Sequence, residues 1–137
     1  MALDPDLAGR TFATAAPYHV SAEKIAEFTA AIGAEPTDEG RTAPFTFPMV
    51  VAFALMGELM ADPSVGVELR NVVHRDERID QERPVRAGDV LVGTLTVDKV
   101  RTAAGLDLIS TRSEISTVDG EPVCTATATL AHRGADA

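Results

Sequence analysis

A chain of 137 residues, 45% of them hydrophobic, can bury one core and does not need a second, so a single globular domain over residues 1–137 is expected and a disordered chain is excluded. A net charge of −9 without a Lys/Arg cluster excludes nucleic acid and anionic membranes as natural partners, and it disfavours an acidic carrier or a nucleotide unless arginines gather locally in space. The lone cysteine, Cys124, excludes an internal disulfide and a multi-cysteine metal site and points to the cytoplasm; no leader and no spanning segment is expected, and aromatic residues are too few for a stacking platform.

Taken in order, Met1 to Arg10 reads as a ragged start. Thr11 to Val20 contains Pro17 and suits a short edge strand. Ser21 can cap a helix from about Ala22 to Ile32, in which Ile25, Phe28, Thr29 and Ile32 recur at helical spacing, with Gly33 just past its end. Residues 34–44 form a polar loop. Phe45 to Met60 then carries a single charge, Glu58. Thr46 can cap it, Pro48 suits a first helical turn, and Asp62-Pro63 ends it. A helix apolar all round is expected to be buried all round, and this one is too short to cross a bilayer, which takes roughly 20 apolar residues.

From Val67 the period changes to two. A strand is predicted from Val67 to Glu82, with His74, Asp76 and Arg78 on one face and Glu77 on the other. Ala87-Gly88-Asp89 turns the chain. Val90 to Val100 alternates with Leu91, Gly93, Leu95 and Val97 inward. In Leu106 to Val118, Ile109, Thr111, Ser113 and Ile115 oppose Arg112 and Glu114. Asp119-Gly120 is a hairpin signal, and in Val123 to His132 Thr125, Thr127 and Thr129 oppose Cys124, Ala126, Ala128 and Leu130. Gly134 to Ala137 reads as a tail. One apolar helix followed by long hairpin-linked strands predicts an α+β protein with a hot-dog fold, an antiparallel sheet wrapped around a buried central helix. Its open sheet edge would pair with a second unit.

The stretch Val72-Val73-His74-Arg75-Asp76-Glu77-Arg78-Ile79, followed by Glu82-Arg83-Pro84-Val85-Arg86-Ala87-Gly88-Asp89-Val90-Leu91, resembles the corresponding segment of the MaoC-like hydroxyacyl dehydratases. It is most similar to their N-terminal-type unit, the non-catalytic A- or C-type subunit of actinobacterial (3R)-hydroxyacyl-ACP dehydratases. Gly9-Arg10-Thr11, Pro17-Tyr18, Glu23-Lys24-Ile25 and Asp119-Gly120-Glu121-Pro122-Val123 fit the same unit, so the resemblance spans almost the whole chain. It implies a hot dog working as a homodimer or heterodimer on an acyl thioester of coenzyme A or acyl carrier protein. It implies no cofactor and no metal.

Catalytic members of that family place an Asp and a His in a loop of Gly-Asp-x-Asn-Pro-x-His type before the buried helix. Dehydration of a 3-hydroxyacyl thioester needs a base for the C2 proton and an acid for the departing hydroxyl, and a backbone N–H at the helix start would polarise the carbonyl. Here the loop reads Ile32-Gly33-Ala34-Glu35-Pro36-Thr37-Asp38-Glu39-Gly40-Arg41. Ala34 stands in the Asp position, Glu35-Pro36 in the Asn-Pro position, and no His occurs between His19 and His74. The loop is also shorter than the family's.

The remaining catalytic candidates are His74, with carboxylates beside it, and the loop acids Glu35 and Asp38, which a solvated loop also explains. Phe45, Thr46, Phe47, Met49, Phe53 and Met56 are candidates for binding the acyl chain, although helical spacing equally suits plain core. Asp89 is expected to cap backbone N–H groups, Glu58 to reach the surface, and Cys124 to be a small buried residue. Three functions compete. The chain is a substrate-holding subunit whose partner supplies the Asp/His pair, a stand-alone hydratase or thioesterase using His74 or a loop carboxylate, or a non-enzymatic acyl-CoA sensor.

Overall fold

The computed structural model describes residues 3–134. The elements in chain order are β1 (Thr11–Ala13), β2 (Tyr18–His19), α1 (Ala22–Ala31), α2 (Met49–Ala61), β3 (Val72–Gln81), β4 (Val90–Ala103), β5 (Leu106–Thr117) and β6 (Pro122–Arg133). Short 3-10 turns occupy Asp38–Gly40 and Leu69–Asn71. The strands form one antiparallel sheet in the order β1-β4-β5-β6-β3, and β2 also pairs with β4. Two tight turns drive the meander. Ala104 and Gly105, both left-handed, join β4 to β5, and Gly120 at φ 92° closes the β5–β6 hairpin.

Alternation decides which face is covered. Leu91, Gly93, Leu95 and Val97 of β4 are buried, as are Ile109, Thr111, Ser113 and Ile115 of β5 and Cys124, Ala126, Ala128 and Leu130 of β6. α2 lies on this concave face, against β4, β1 and β5, through Val51, Ala52, Leu55, Met56 and Leu59. The approach is tight enough to require a glycine: a Cβ on Gly93 would stand 2.9 Å from Leu55 Cδ1 and 3.3 Å from the Glu114 carbonyl. The result is the expected α+β hot dog.

Several boundaries differ from the sequence reading. α2 is not buried on all sides. A sheet one layer thick covers one flank of the helix, so Phe53, Ala54, Gly57, Glu58 and Ala61 face outward. Thr46 does not cap it; Pro48 occupies the cap position without a side-chain bond, and the helix starts at Met49. β3 starts at Val72 rather than Val67, because Leu69–Asn71 first make a turn in which the Asn71 N–H donates to the Glu68 carbonyl.

The start of the chain is ordered, not ragged. Leu7 is fully buried, the Asp4 N–H donates to the Val65 carbonyl, and Arg10 bridges Asp4 and Asp62 at 2.9 and 3.1 Å. Met1, Ala2 and residues 135–137 of the expected tail lie outside the described residues. α1 is capped by Ser21, whose Oγ accepts from the Lys24 N–H, and Gly33 follows it at φ 70°. Ile32 of the expected apolar face is half exposed.

Candidate functional site

The two flanks of α2 differ. On one, β1, β2 and β4 close over the core. On the other, α2 meets the edge strand β3, and Phe45 and Phe53 are more than half exposed; Leu69 and Val73 are exposed too, Val73 on the outer face of the sheet opposite Ala131.

β3 itself departs from simple alternation. Its register with β6 runs Val72 to His132, Val73 to Ala131 and His74 to Leu130, then resumes at Asp76 opposite Thr129. Arg75 is therefore an inserted residue, a β-bulge. Past it the faces are exchanged. Glu77, Ile79 and Gln81 lie beside the buried Ala128, Ala126 and Cys124, while Asp76, Arg78 and Asp80 lie beside the outward threonines of β6. The expected grouping of His74 with Asp76 and Arg78 is thus incorrect. The bulge puts His74 and Glu77 on the same, concave face.

There His74 Nε2 and Glu77 Oε2 are 2.9 Å apart. The edge of the His74 ring meets Phe53, with centroids 5.9 Å apart and planes at 85°. The side chains are 31% and 18% exposed, so the histidine stands at the rim and the carboxyl behind it. Glu77 Oε1 is buried without a hydrogen-bond partner. Burial pushes the Glu77 carboxyl above its usual range, against the pull of His74. Further along the floor, opposite Gln81, Cys124 has its thiol raised to about 11 by burial and then by the Glu77 charge, which disfavours the thiolate. Thr111 Oγ1 is also buried and unpartnered, in the same lateral row, with Ala128 between it and Glu77.

The other sequence candidates are scattered. Glu35 and Asp38 are exposed loop acids; Asp38 accepts from Thr42 Oγ1 at 3.3 Å, and neither meets a histidine. Asp38 and Glu39 are both left-handed, at φ 54° and 55°, so the loop is tightly wound away from the core. Phe47 and Met56 are core, with Phe47 edge-on to Phe28 at 5.2 Å. Met49 is half-buried, and Phe45, Thr46 and Phe53 face outward. The amides at the α2 start are spoken for: those of Met49, Val50 and Val51 donate to the carbonyls of Thr46, Phe47 and Pro48.

Asp89 does cap the turn, accepting from the Arg86 N–H at 2.8 Å and from both Arg83 nitrogens at 2.9 and 3.1 Å. Burial alone would raise its pKa, but these bonds hold it below the usual carboxylate range. Among the described residues no group of three or more His, Cys, Asp or Glu is placed to hold a metal ion, and no helix is long and apolar enough to cross a membrane.

Sequence reasoning missed two features. Glu77 was placed on the wrong face, and nothing in the residue types marks a bulge. A local concentration of arginine was also not visible in the sequence order. Arg70, Arg75 and Arg133 converge on a cleft of about 420 Å³ walled by Val73, Leu106 and Ala131. Among the described residues no carboxylate lines it, although Arg70 is paired with Glu68 at 2.9 Å beside it.

Solved hot-dog dehydratases are the class of protein that this fold resembles. A HadBC (3R-hydroxyacyl-ACP dehydratase) complex from Mycobacterium tuberculosis superposes with a TM-score of 0.82 at 26% identity, over 94% of this chain and 99% of that one. A MaoC-like dehydratase matches at 0.77 and 28% identity, over 96% of this chain and 43% of its own length. The chain belongs to the FAS1-like, dehydratase domain region family, whose model matches residues 6–126. A UPF0336 protein of Streptomyces coelicolor is 39% identical over 99% of both chains. That alignment runs to 148 positions, so at least 11 residues of the relative have no counterpart here.

Proposed function

We propose that this chain, as one hot-dog domain, is an acyl-thioester-binding subunit of a (3R)-hydroxyacyl dehydratase, holding the acyl chain along α2 while a second hot-dog subunit supplies the acid/base pair. One observation carries the reading: the loop before α2 holds neither the family's Asp nor its His, and the carboxylates it does hold, Glu35, Asp38 and Glu39, face solvent. The occupied amides of Met49, Val50 and Val51 agree with it, because a helix start without free N–H groups polarises a carbonyl poorly.

The open flank supports a partner. β3 is an edge strand with unpaired backbone groups, and Val73, Leu69, Phe45 and Phe53 add apolar surface beside it. The similar Mycobacterium tuberculosis structure is that of a complex. The arginine cleft offers a place for the phosphate that coenzyme A and the acyl carrier arm share, and so offsets the repulsion expected from a net charge of −9.

The test combines mass photometry with hydration of crotonyl-CoA. The purified chain is expected to bind the thioester without turning it over, and to become part of an active species only with a second hot-dog subunit. Substantial turnover by the chain alone that survives His74→Ala would sink the reading. The His74–Glu77 pair favours a second reading, a stand-alone hydratase in which His74 is the base; turnover by the chain alone that is lost in His74→Ala would select it.

A further inference from the structure

We propose that Glu77 is a positioning residue that fixes the tautomer of His74, and that His74 Nδ1 accepts a hydrogen bond from a hydroxyl or amide N–H of the bound thioester. The inference rests on the acyl-thioester reading above and adds to it the contact that recognises the polar part of the ligand.

The geometry is that of an imidazole held from behind. A carboxylate beside Nε2 at 2.9 Å makes that nitrogen the donor, so Nδ1 keeps its lone pair. Among the described residues Nδ1 has no hydrogen-bond partner. The perpendicular contact with Phe53 holds the ring plane, and the half-covered position at the meeting of α2 and β3 leaves the free nitrogen at the rim.

Glu77 is poorly placed to be a mere surface charge. It is the inserted Arg75 that turns it inward, and one of its oxygens is left buried and unbonded. Such a group costs stability, and a fold that keeps it has a use for it elsewhere. A site built to accept a hydrogen bond discriminates strongly against a ligand without the donor, because its own polar atom is then left unpaired. The ligand class is therefore an acyl thioester with a donor near the thioester carbon. The 3-hydroxyl and the pantetheine amides both qualify.

Two measurements on the full chain at pH 8 test this. Imidazole ¹⁵N NMR is expected to show His74 as a single Nε2–H tautomer in the wild type and in Glu77→Gln, which retains an acceptor, and as a mixture in Glu77→Leu. A structural role alone would move the melting temperature of Glu77→Leu and leave the tautomer unchanged, and that result overturns the proposal. Titration with 3-hydroxybutyryl-CoA is expected to shift the Nδ1 signal, with butyryl-CoA and coenzyme A shifting it as well where the donor is an amide, and His74→Phe is expected to weaken 3-hydroxybutyryl-CoA binding roughly tenfold.

If the donor is the hydroxyl, only the first ligand loses affinity; if it is an amide, all three lose it equally. Binding of 3-hydroxybutyryl-CoA that leaves the His74 signals unmoved, or that His74→Phe does not weaken, overturns this inference and leaves the subunit reading standing. Failure of all three ligands to bind the wild type overturns the subunit reading itself.

Discussion

The two flanks of the central helix are built on opposite terms. Where α2 meets β4 and β1, Leu55 and Leu95 are fully excluded from solvent and Arg10 ties Asp4 to Asp62, and at the adjoining turns before β4 and β6 Arg83 is clamped by Asp89 and Glu121. Where α2 meets β3, aromatic rings stand exposed and a carboxyl oxygen is buried without a partner. Folding free energy is therefore concentrated on the closed flank. The open flank is left with unsatisfied groups, which is where a ligand or a second subunit can gain by binding.

The largest expected effect falls on the closed flank. Leu55→Ala should cost about 3 kcal/mol in urea denaturation, since Leu55 is fully buried against a strand with no side chain at Gly93 to refill the space. A loss below about 1 kcal/mol would mean that the two flanks are not so unequal. Asp89→Ala should cost about 2 kcal/mol, because Arg83, 17% exposed, loses a bidentate partner.

The two carboxyls also titrate in opposite senses, which sharpens the contrast. Asp89 has a lowered folded pKa, so its stabilisation is present above the ordinary value of 3.8 and is lost as pH falls through the lowered one. Glu77 has a raised folded pKa. Its neutral form favours the fold, so stability is greater below the ordinary value of 4.5 and declines as pH rises through the raised one. Melting curves from pH 3 to pH 8 should show that Asp89→Asn lessens the acid-side loss, of which Asp4 and Asp62 keep their share, and that Glu77→Gln removes the decline above pH 4.5. A Glu77→Gln curve parallel to the wild type would contradict the buried environment described for that residue.

The smallest stability effect is expected at Phe53→Ser. With Phe53 53% exposed, melting should change by no more than about 0.5 kcal/mol. Thioester affinity and self-association should nevertheless change, and if neither does, the open flank is not a binding surface.

The fold was readable because its signals are local and repeated. Three long strands alternate over most of their length, Asp119-Gly120 marks the turn between two of them, and Ser21 and Gly33 bound α1, all by chemistry that acts within a few residues. The helix was found from its apolar run, but its outward face was not, because burial on one side or two depends on how many sheet layers arrive. The site was read least well. His74 was singled out, yet its partner was placed on the opposite face. A bulge depends on what β6 presents across the ladder, and no property of Arg75 itself announces it. The arginine cleft joins residues 70, 75 and 133, which are neighbours only after folding.

The inserted residue sets which changes of length the concave face can absorb. Taking Arg75 out would leave His74 opposite Leu130 and Asp76 opposite Thr129 as direct neighbours, so plain alternation would still turn Glu77, Ile79 and Gln81 inward. Drawing Arg75 into the ladder instead would turn those three outward and Asp76, Arg78 and Asp80 inward in a single step. The pairing of His74 with Glu77 therefore depends on Arg75 staying out of register, and relatives one residue shorter in β3 should keep it wherever both side chains are kept.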